Sequence, residues 1–522
     1  MRRFSILFLA VFLASASRPA TSCADVRLPA IIGNNMVLQA DKPLPIWGWA
    51  EPGEDVTVTL GTDKATAKAD DQGNWRTNLP AQKTSATAVE MTVAGKNTIK
   101  ITNILVGEVW GGSGQSNMQW SVNQTANSGQ EIQQANYPQI RLFLVPLRLS
   151  PVPLDNVDAK WVVCTPETIP GFTAVLYFFG REIHKTLNVP VGLIGVSWGG
   201  SRIEPWMTYA QFAAQPELKP ELDNYNKLKD ERVKAMAARK ALLPAFKAWL
   251  DAAEKAAAAG NDVPDGAPGL PPDPLNQFNA SPSAMYNGMV HALVPYAIRG
   301  FLWYQGESNL GGAMHYHDLM KGLIANWRSL WNEGDFPFLW VQLAPYFYGP
   351  NNETALPEIW EAQTATLAVP NTGMAVTTDI ATIRDIHPPN KQDVGKRLAL
   401  WALANTYGKK DVVYSGPLYE SMAVEGDKIR IKFKHTSPGL VSRDGKPLSW
   451  FSIAGDDKQF YPATADIDGE TVVVKSEKVP KPVAVRFGWN QIAEPNLSNK
   501  VNLPASPFRT DKWPDAKNAA AP

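Results

Sequence analysis

A serine and a histidine stand where this chain could deliver a nucleophile and its base. Ser116 follows an apolar run, Ile104-Leu105-Val106 and then Val109-Trp110, that reads as a buried strand breaking into the small-residue loop Gly111-Gly112-Ser113-Gly114. Gln115-Ser116-Asn117 then reads as a helix start. Such a strand–loop–helix turn presents one hydroxyl at a strand's C-terminal end, near unpaired N–H groups that can stabilise the oxyanion formed by attack on an ester. A Gly/Ser turn with a capping serine is the structural alternative. His387 lies beyond the candidate strand Met374–Thr378, with Asp385 two residues before it and Pro388-Pro389 after it. A nearby carboxylate can hold the ring's tautomer and stabilise the imidazolium formed when it takes a serine proton. A loop histidine beside a solvated aspartate is the alternative. The remaining histidines offer less. His184 lies mid-helix beside Glu182 and Lys185, His291 in the mixed run Gly288–Val294, and His435 beside a turn. His315 and His317 flank Tyr316 at a helix start, with too few ligands for a metal site.

The elements that must position these residues alternate. Arg141–Val145 reads as a strand, Ala174–Leu187 as a helix and Val191–Val196 as a strand that exits into Ser197-Trp198-Gly199-Gly200-Ser201-Arg202. Ile298–Tyr304 is a further strand and exits into Gln305-Gly306-Glu307-Ser308-Asn309. Helices follow over Tyr316–Trp331 and Val394–Tyr407, with Phe338–Leu343 as a strand between them. This alternation predicts an α/β fold, a parallel sheet with helices on both faces, whose ligands sit at the C-terminal strand ends. Residues 209–283 interrupt it with an Ala/Lys/Glu-rich helical stretch and a Pro-rich segment, 264–274, that cannot hold regular structure.

Short alternating strands and turns flank this unit over 25–103 and again over 409–522, predicting accessory β-sandwich regions at both ends of a catalytic unit spanning 104–408. Arg2-Arg3, the apolar Phe4–Ala14 and the small residues around Ala24 read as a cleaved signal peptide over 1–24, hence a secreted or periplasmic protein. A lipid anchor on Cys23 is the alternative, for which Ala20-Thr21-Ser22 is a poor match to the usual context. Cleavage leaves Cys164 alone, which excludes an intrachain disulfide. Lys+Arg and Asp+Glu both number 50, so no basic field points to nucleic acid. No later stretch has the length of a membrane span.

Taken together, the four exit loops resemble the SGNH hydrolase superfamily, and more closely its sialate O-acetylesterase branch. GQSNM, SWGGSRIEPW, WYQGESN and IHPPNK each resemble that branch's motifs, as do MVLQ near residue 36, GDFPFLWVQLAPY at 334–346, FSIAGDDKQFYPA and ASPFRTDKWP. The resemblance runs from Pro29 to Pro514, apart from the 215–280 stretch. It implies that Ser116 is the nucleophile and donates its own N–H to the oxyanion hole, with Gly199 or Gly200 as second donor and Gln305, or Asn309, as third. It makes His387 the base and Asp385 its partner. The superfamily spaces this pair Asp-x-x-His where this chain has Asp-x-His, so Asp379, Asp393 or a backbone carbonyl are alternatives. Glu307 is placed to contact sugar hydroxyls or brace the hole. Arg202 could bind a substrate carboxylate bidentately or pair with Glu204. The implied activity is hydrolysis of acetyl esters on sugars, sialic acids above all, or on plant or algal glycans such as xylan, with neither metal nor organic cofactor. Two other classes fit parts of the chain: a glycoside hydrolase using Glu307, Glu108 and Asp385, and a non-catalytic glycan-binding protein.

Overall fold

One long strand joins the N-terminal β region to the α/β unit. The computed structural model describes residues 25–513, so the leader with Cys23 and the tail from Pro514 lie outside the described residues. Strands β1 (Val37–Gln39), β2 (Leu44–Trp49), β3 (Asp55–Leu60), β4 (Asp63–Lys68), β5 (Asn74–Leu79) and β6 (Ser85–Ala94) precede β7 (Thr98–Gly114). On β3, Val56, Val58 and Leu60 are buried while the residues between them face outward, the alternation of a half-buried strand. The first half of β7 pairs antiparallel with β6, as in Val93↔Ile99. Its second half runs parallel between two strands of the central sheet. The boundary expected at 103/104 therefore falls inside a continuous strand, and one apolar core extends from Val26 to Leu418. Residues Ile429 to Phe508 enclose a separate core.

The central sheet continues with β8 (Tyr137–Leu144), β9 (Trp161–Cys164), β10 (Val191–Ser197), β11 (Gly300–Tyr304), β12 (Phe338–Val341) and β13 (Thr372–Ala375). Its order is β13-β12-β11-β7-β10-β8-β9, parallel except for the β8–β9 pair. The chain fills one side of β7 with β10 and β8, then crosses to build β11, β12 and β13 on the other. That reversal makes the C-terminal end of β7 a topological switch point, where loops diverge and leave a crevice.

The helices that frame this sheet are α1 (Ser116–Gln119), α2 (Ala174–Leu187), α3 (Lys219–Ala258), α4 (His315–Trp331), α5 (Ala355–Ala365) and α6 (Lys391–Asn405). Adjacent glycines on β7 show both faces covered. A Cβ on Gly112 would meet Leu176 of α2 at 3.0 Å, whereas one on Gly111 would strike the Phe301 ring at 2.0 Å. Phe301 in turn packs on Trp327 and Trp331 of α4. Gly114 adopts φ +136°, and a Cβ there would come within 2.2 Å of the Tyr304 carbonyl oxygen, so only glycine lets β7 turn so close to β11.

The 209–283 insertion opens with a short helix, Tyr209–Ala214, and a 3-10 turn, Pro216–Leu218, and continues as the 40-residue helix α3 and an irregular return along it. Arg232 grips Asp273 at 2.9 Å and Arg239 donates to the Pro271 carbonyl. Only Phe246 and Ala253 of α3 are buried. The return ends at Phe278-Asn279, against the loop that follows β10. The C-terminal region docks on the β12 side, through Ser506 on Gln342 at 2.9 Å and Arg509 on Glu361 at 2.7 Å. Among the described residues no helix is long and apolar enough to cross a membrane.

Candidate active site

The exit loops of β7, β10 and β11 are tied to one another by backbone bonds. The Gln115 N–H donates to the Tyr304 carbonyl and the Trp198 N–H to the Gly114 carbonyl, each at 3.0 Å. Ser116, partly exposed, opens α1 at this edge. Its Oγ lies 2.8 Å from Nε2 of His387, a contact that spans 271 residues of sequence. The imidazole stacks on the Trp120 indole, with centroids 4.5 Å apart and planes 16° from parallel. Burial lowers the His387 pKa, the nearby Lys391 charge lowers it further, and Asp385 opposes both. The ring is thereby kept neutral near pH 7, the form that can accept a proton.

Asp385 is beside the histidine without gripping its ring. Its Oδ1 accepts the His387 backbone N–H at 2.9 Å and lies 3.8 Å from Nδ1. The other two aspartates are committed elsewhere. Asp379 takes a bidentate pair from Arg397 at 2.6 and 2.7 Å, and Asp393 accepts the Asn390 side chain at the start of α6. An exposed carboxylate beyond direct bonding distance stabilises the imidazolium less than a buried, bonded one. Asp385→Asn is therefore expected to lower kcat by about tenfold or less, against roughly 10⁴-fold for a buried triad aspartate, as steady-state kinetics would show.

For the oxyanion, two backbone donors border Ser116. The Ser116 N–H makes no bond among the described residues. The Gly199 N–H donates to Gln119 Oε1 at 2.7 Å, and a Cβ on Gly199 would lie 3.3 Å from the Ser116 Cβ. Gly200, at φ +73°, turns the loop, and its carbonyl accepts from Ser308 and Asn279. Gln305 and Asn309, expected as third donors, point elsewhere. The fully buried Gln305 amide donates to the Ser201 carbonyl at 3.0 Å, Asn309 Oδ1 at 2.8 Å and Gln115 Oε1 at 3.1 Å. Asn309 Nδ2 donates to Glu204 and its Oδ1 also accepts from the Ile203 N–H. An unmet buried donor costs about 1–3 kcal/mol, so these amides satisfy each other and strap the β10 and β11 loops together.

Beneath the serine lies a buried polar cluster. Asn117 Nδ2 donates to Glu307 Oε1 at 2.6 Å and to the Ile386 carbonyl at 3.0 Å, while its Oδ1 accepts from Lys391 Nζ at 2.5 Å. The residue after the nucleophile is thus bonded to the residue before the histidine. Burial pushes the Glu307 carboxyl up. Burial also drops Lys391 to about 7, against the opposing pull of Glu307 and Asp385. The Lys391 ammonium lies over the Tyr304 and Trp120 rings at 5.4 and 6.0 Å. Asn117 and Lys391 stand inside GQSNM and IHPPNK, yet nothing in their types signals that they meet.

Arg202 is engaged rather than free. Its Nε and Nη2 bond Glu204 Oε1 at 3.0 and 2.5 Å. Trp198 and the exposed Phe278 form a tilted pair 5.3 Å apart next to Gly200. Glu108 lies mid-strand on β7, held by Arg299 at 2.6 Å and Tyr407 at 2.9 Å. Of the three carboxylates that a glycoside hydrolase would use, Glu108 is therefore committed to this ion pair within the strand rather than to the loop ends. His315 bonds Glu221 and His317 bonds Thr366, and no group of potential metal ligands occurs among the described residues.

A parallel sheet with this switch point, flanked by β regions, is the architecture of SGNH-type carbohydrate esterases. A carbohydrate acetylesterase from Xanthomonas citri superposes with a TM-score of 0.79 at 35% identity, over 94% of this chain and 100% of that one. The family model described as carbohydrate esterase, sialic acid-specific acetylesterase, matches residues 273–404. The sialate O-acetylesterase of Mus musculus is 32% identical over 92% of this chain and 94% of its own, and that of Homo sapiens 28% over 89% and 87%. The chain belongs to the sialate O-acetylesterase family and is a carboxylic-ester hydrolase of carbohydrates.

Proposed function

We propose that this protein is an exported O-acetylesterase that removes acetyl groups from sialic acids through Ser116 and His387. The observation that carries the mechanism is the 2.8 Å contact between Ser116 Oγ and His387 Nε2 at the switch point. In the proposed first step Oγ attacks the acetyl carbonyl carbon while Nε2 takes its proton. The resulting oxyanion accepts from the N–H groups of Ser116 and Gly199, the latter released from Gln119. The tetrahedral intermediate collapses, the sugar oxygen leaves with the proton from Nε2, and acetyl remains on Oγ. Water, deprotonated by Nε2, then attacks the acetyl-enzyme. Acetate departs and the proton returns to Oγ.

Trp198 and Phe278 offer aromatic surface for the sugar beside this centre. The basic and apolar leader, Arg2-Arg3 followed by Phe4–Ala14, supports export. A second reading, an esterase on neutral acetylated polysaccharide such as xylan, is favoured by one feature: Glu204 already occupies the arginine best placed for a sialic carboxylate. The test is acetate release from an O-acetylated sialic acid and from acetylated xylan. A higher kcat/KM on the sialic acid supports the first reading, and a higher value on xylan replaces it with the second.

A further inference from the structure

A cleft of about 380 Å³ separates the β2–β5 ribbon from the catalytic body. Trp47, Trp49 and Arg76 wall it on the ribbon side, and Asp155 and His291 on the other. The ribbon's register sets Trp47 opposite Arg76 and Gly48 opposite Trp75. Trp75, which also lines the cleft, is 3% exposed, and its Nε1 has no hydrogen-bond partner among the described residues. Trp75 and Gly48 share the face of the ribbon that packs into the N-terminal core, which leaves Trp47, Trp49 and Arg76 together on the face turned to the cleft. Arg27 covers the Trp49 ring at 5.8 Å. His291 is fixed by the Tyr286 hydroxyl at 3.1 Å and stands 3.5 Å from Asp155. Arg76 makes no ion pair among the described residues.

The lining selects a ligand class. Indole rings offer flat apolar surface with a polar edge, and groups of both charge signs surround them. An apolar ligand would leave those charges facing it unmatched, and an anion would meet Asp155. A pyranose fits both features, because it has a C–H face to lay on an indole and hydroxyls that donate and accept. The cleft is also far from the serine. Tyr296, next to Pro295 of the cleft, donates to the Val37 carbonyl, and Val37 pairs with Leu105. From Leu105 to Gly114, β7 climbs about 30 Å at ordinary strand rise.

We propose that this cleft is a glycan-binding site, holding one pyranose of the chain that bears the ester and so raising the ester's local concentration at Ser116. It rests on the reading of the substrate as a glycan. The test titrates Ser116→Ala protein with xylohexaose and with sialyllactose, both free of acetyl groups, by calorimetry. Saturable binding of at least one is expected, weakened about tenfold or more by Trp47→Ala and by the exposed Arg76→Ala, and kept within about threefold by Trp47→Phe. No saturable binding of either sugar overturns the proposal, as does binding equally tight in folded Trp47→Ala and Arg76→Ala proteins. Acetate release by the wild type is read separately. Its absence, with binding still dependent on Trp47, would remove the esterase and leave the glycan site standing.

Discussion

Replacing Ser116 by alanine is expected to lower acetate release by about 10³-fold or more and to leave the melting temperature almost unchanged. The two parts have different causes. The hydroxyl makes its one side-chain bond to His387, at the partly exposed mouth of the site, so its loss leaves no buried group unmet. The local fold is held by backbone bonds, with the Met118 and Gln119 N–H groups on the Gln115 carbonyl. Chemistry, by contrast, has no substitute for Oγ as the atom that carries the acetyl group. His387→Ala should fall in the same range, and the double variant should be no worse than either single one, because a nucleophile without its base and a base without its nucleophile fail at the same step. Initial rates on an O-acetylated sugar, alongside thermal melts, check this. Losses under about tenfold in both single variants would exclude the pair as the catalytic centre. Glu307→Gln would then become the informative variant, because a glycoside hydrolase must lose its carboxylate function.

The parts of this arrangement legible in the sequence follow local rules. The apolar run over 104–110 was legible as a buried strand and Ser116 as a helix start, although Gly111–Gly114, read as a loop, continue β7 as paired strand residues. Ala174–Leu187 carries a helical period and forms the helix with those bounds. His387 stood out because two prolines and a preceding strand left it on an exit loop. What was not legible depends on which side chains meet across long separations. Gln305 reads as an amide on an active-site loop, yet its partners are Ser201, Asn309 and Gln115, known only once three loops close over it. Asn117 and Lys391 are 274 residues apart in sequence and share a bond. The division at 103/104 failed for a related reason. Composition changes there, but β7 is long enough to serve two sheets at once.

That buried cluster yields the second large effect. Lys391→Met is expected to reduce kcat/KM by about 10- to 100-fold and to move the acidic limb of its pH profile upward. Lys391 holds Asn117 by its Oδ1, and Asn117 Nδ2 holds the Ile386 carbonyl next to His387. Without the ammonium, Asn117 can turn its amide, and the base is no longer fixed against Ser116. The shift in pH follows from charge. The charged groups facing His387 are Lys391 and Asp385, one lowering its pKa and the other raising it. Below about pH 7 Lys391 carries its proton and opposes a second positive charge on the imidazole. Methionine has nearly the same shape and no charge, so the imidazolium becomes easier to form. The His387 pKa then rises, and the neutral base disappears at higher pH than in the wild type. Asp385→Asn shifts the same limb the opposite way, because it removes the group that favours the imidazolium. Opposite displacements in the two variants would show that these charges set the base's working range. A drop in rate with an unmoved limb would instead mean that Lys391 acts through packing alone.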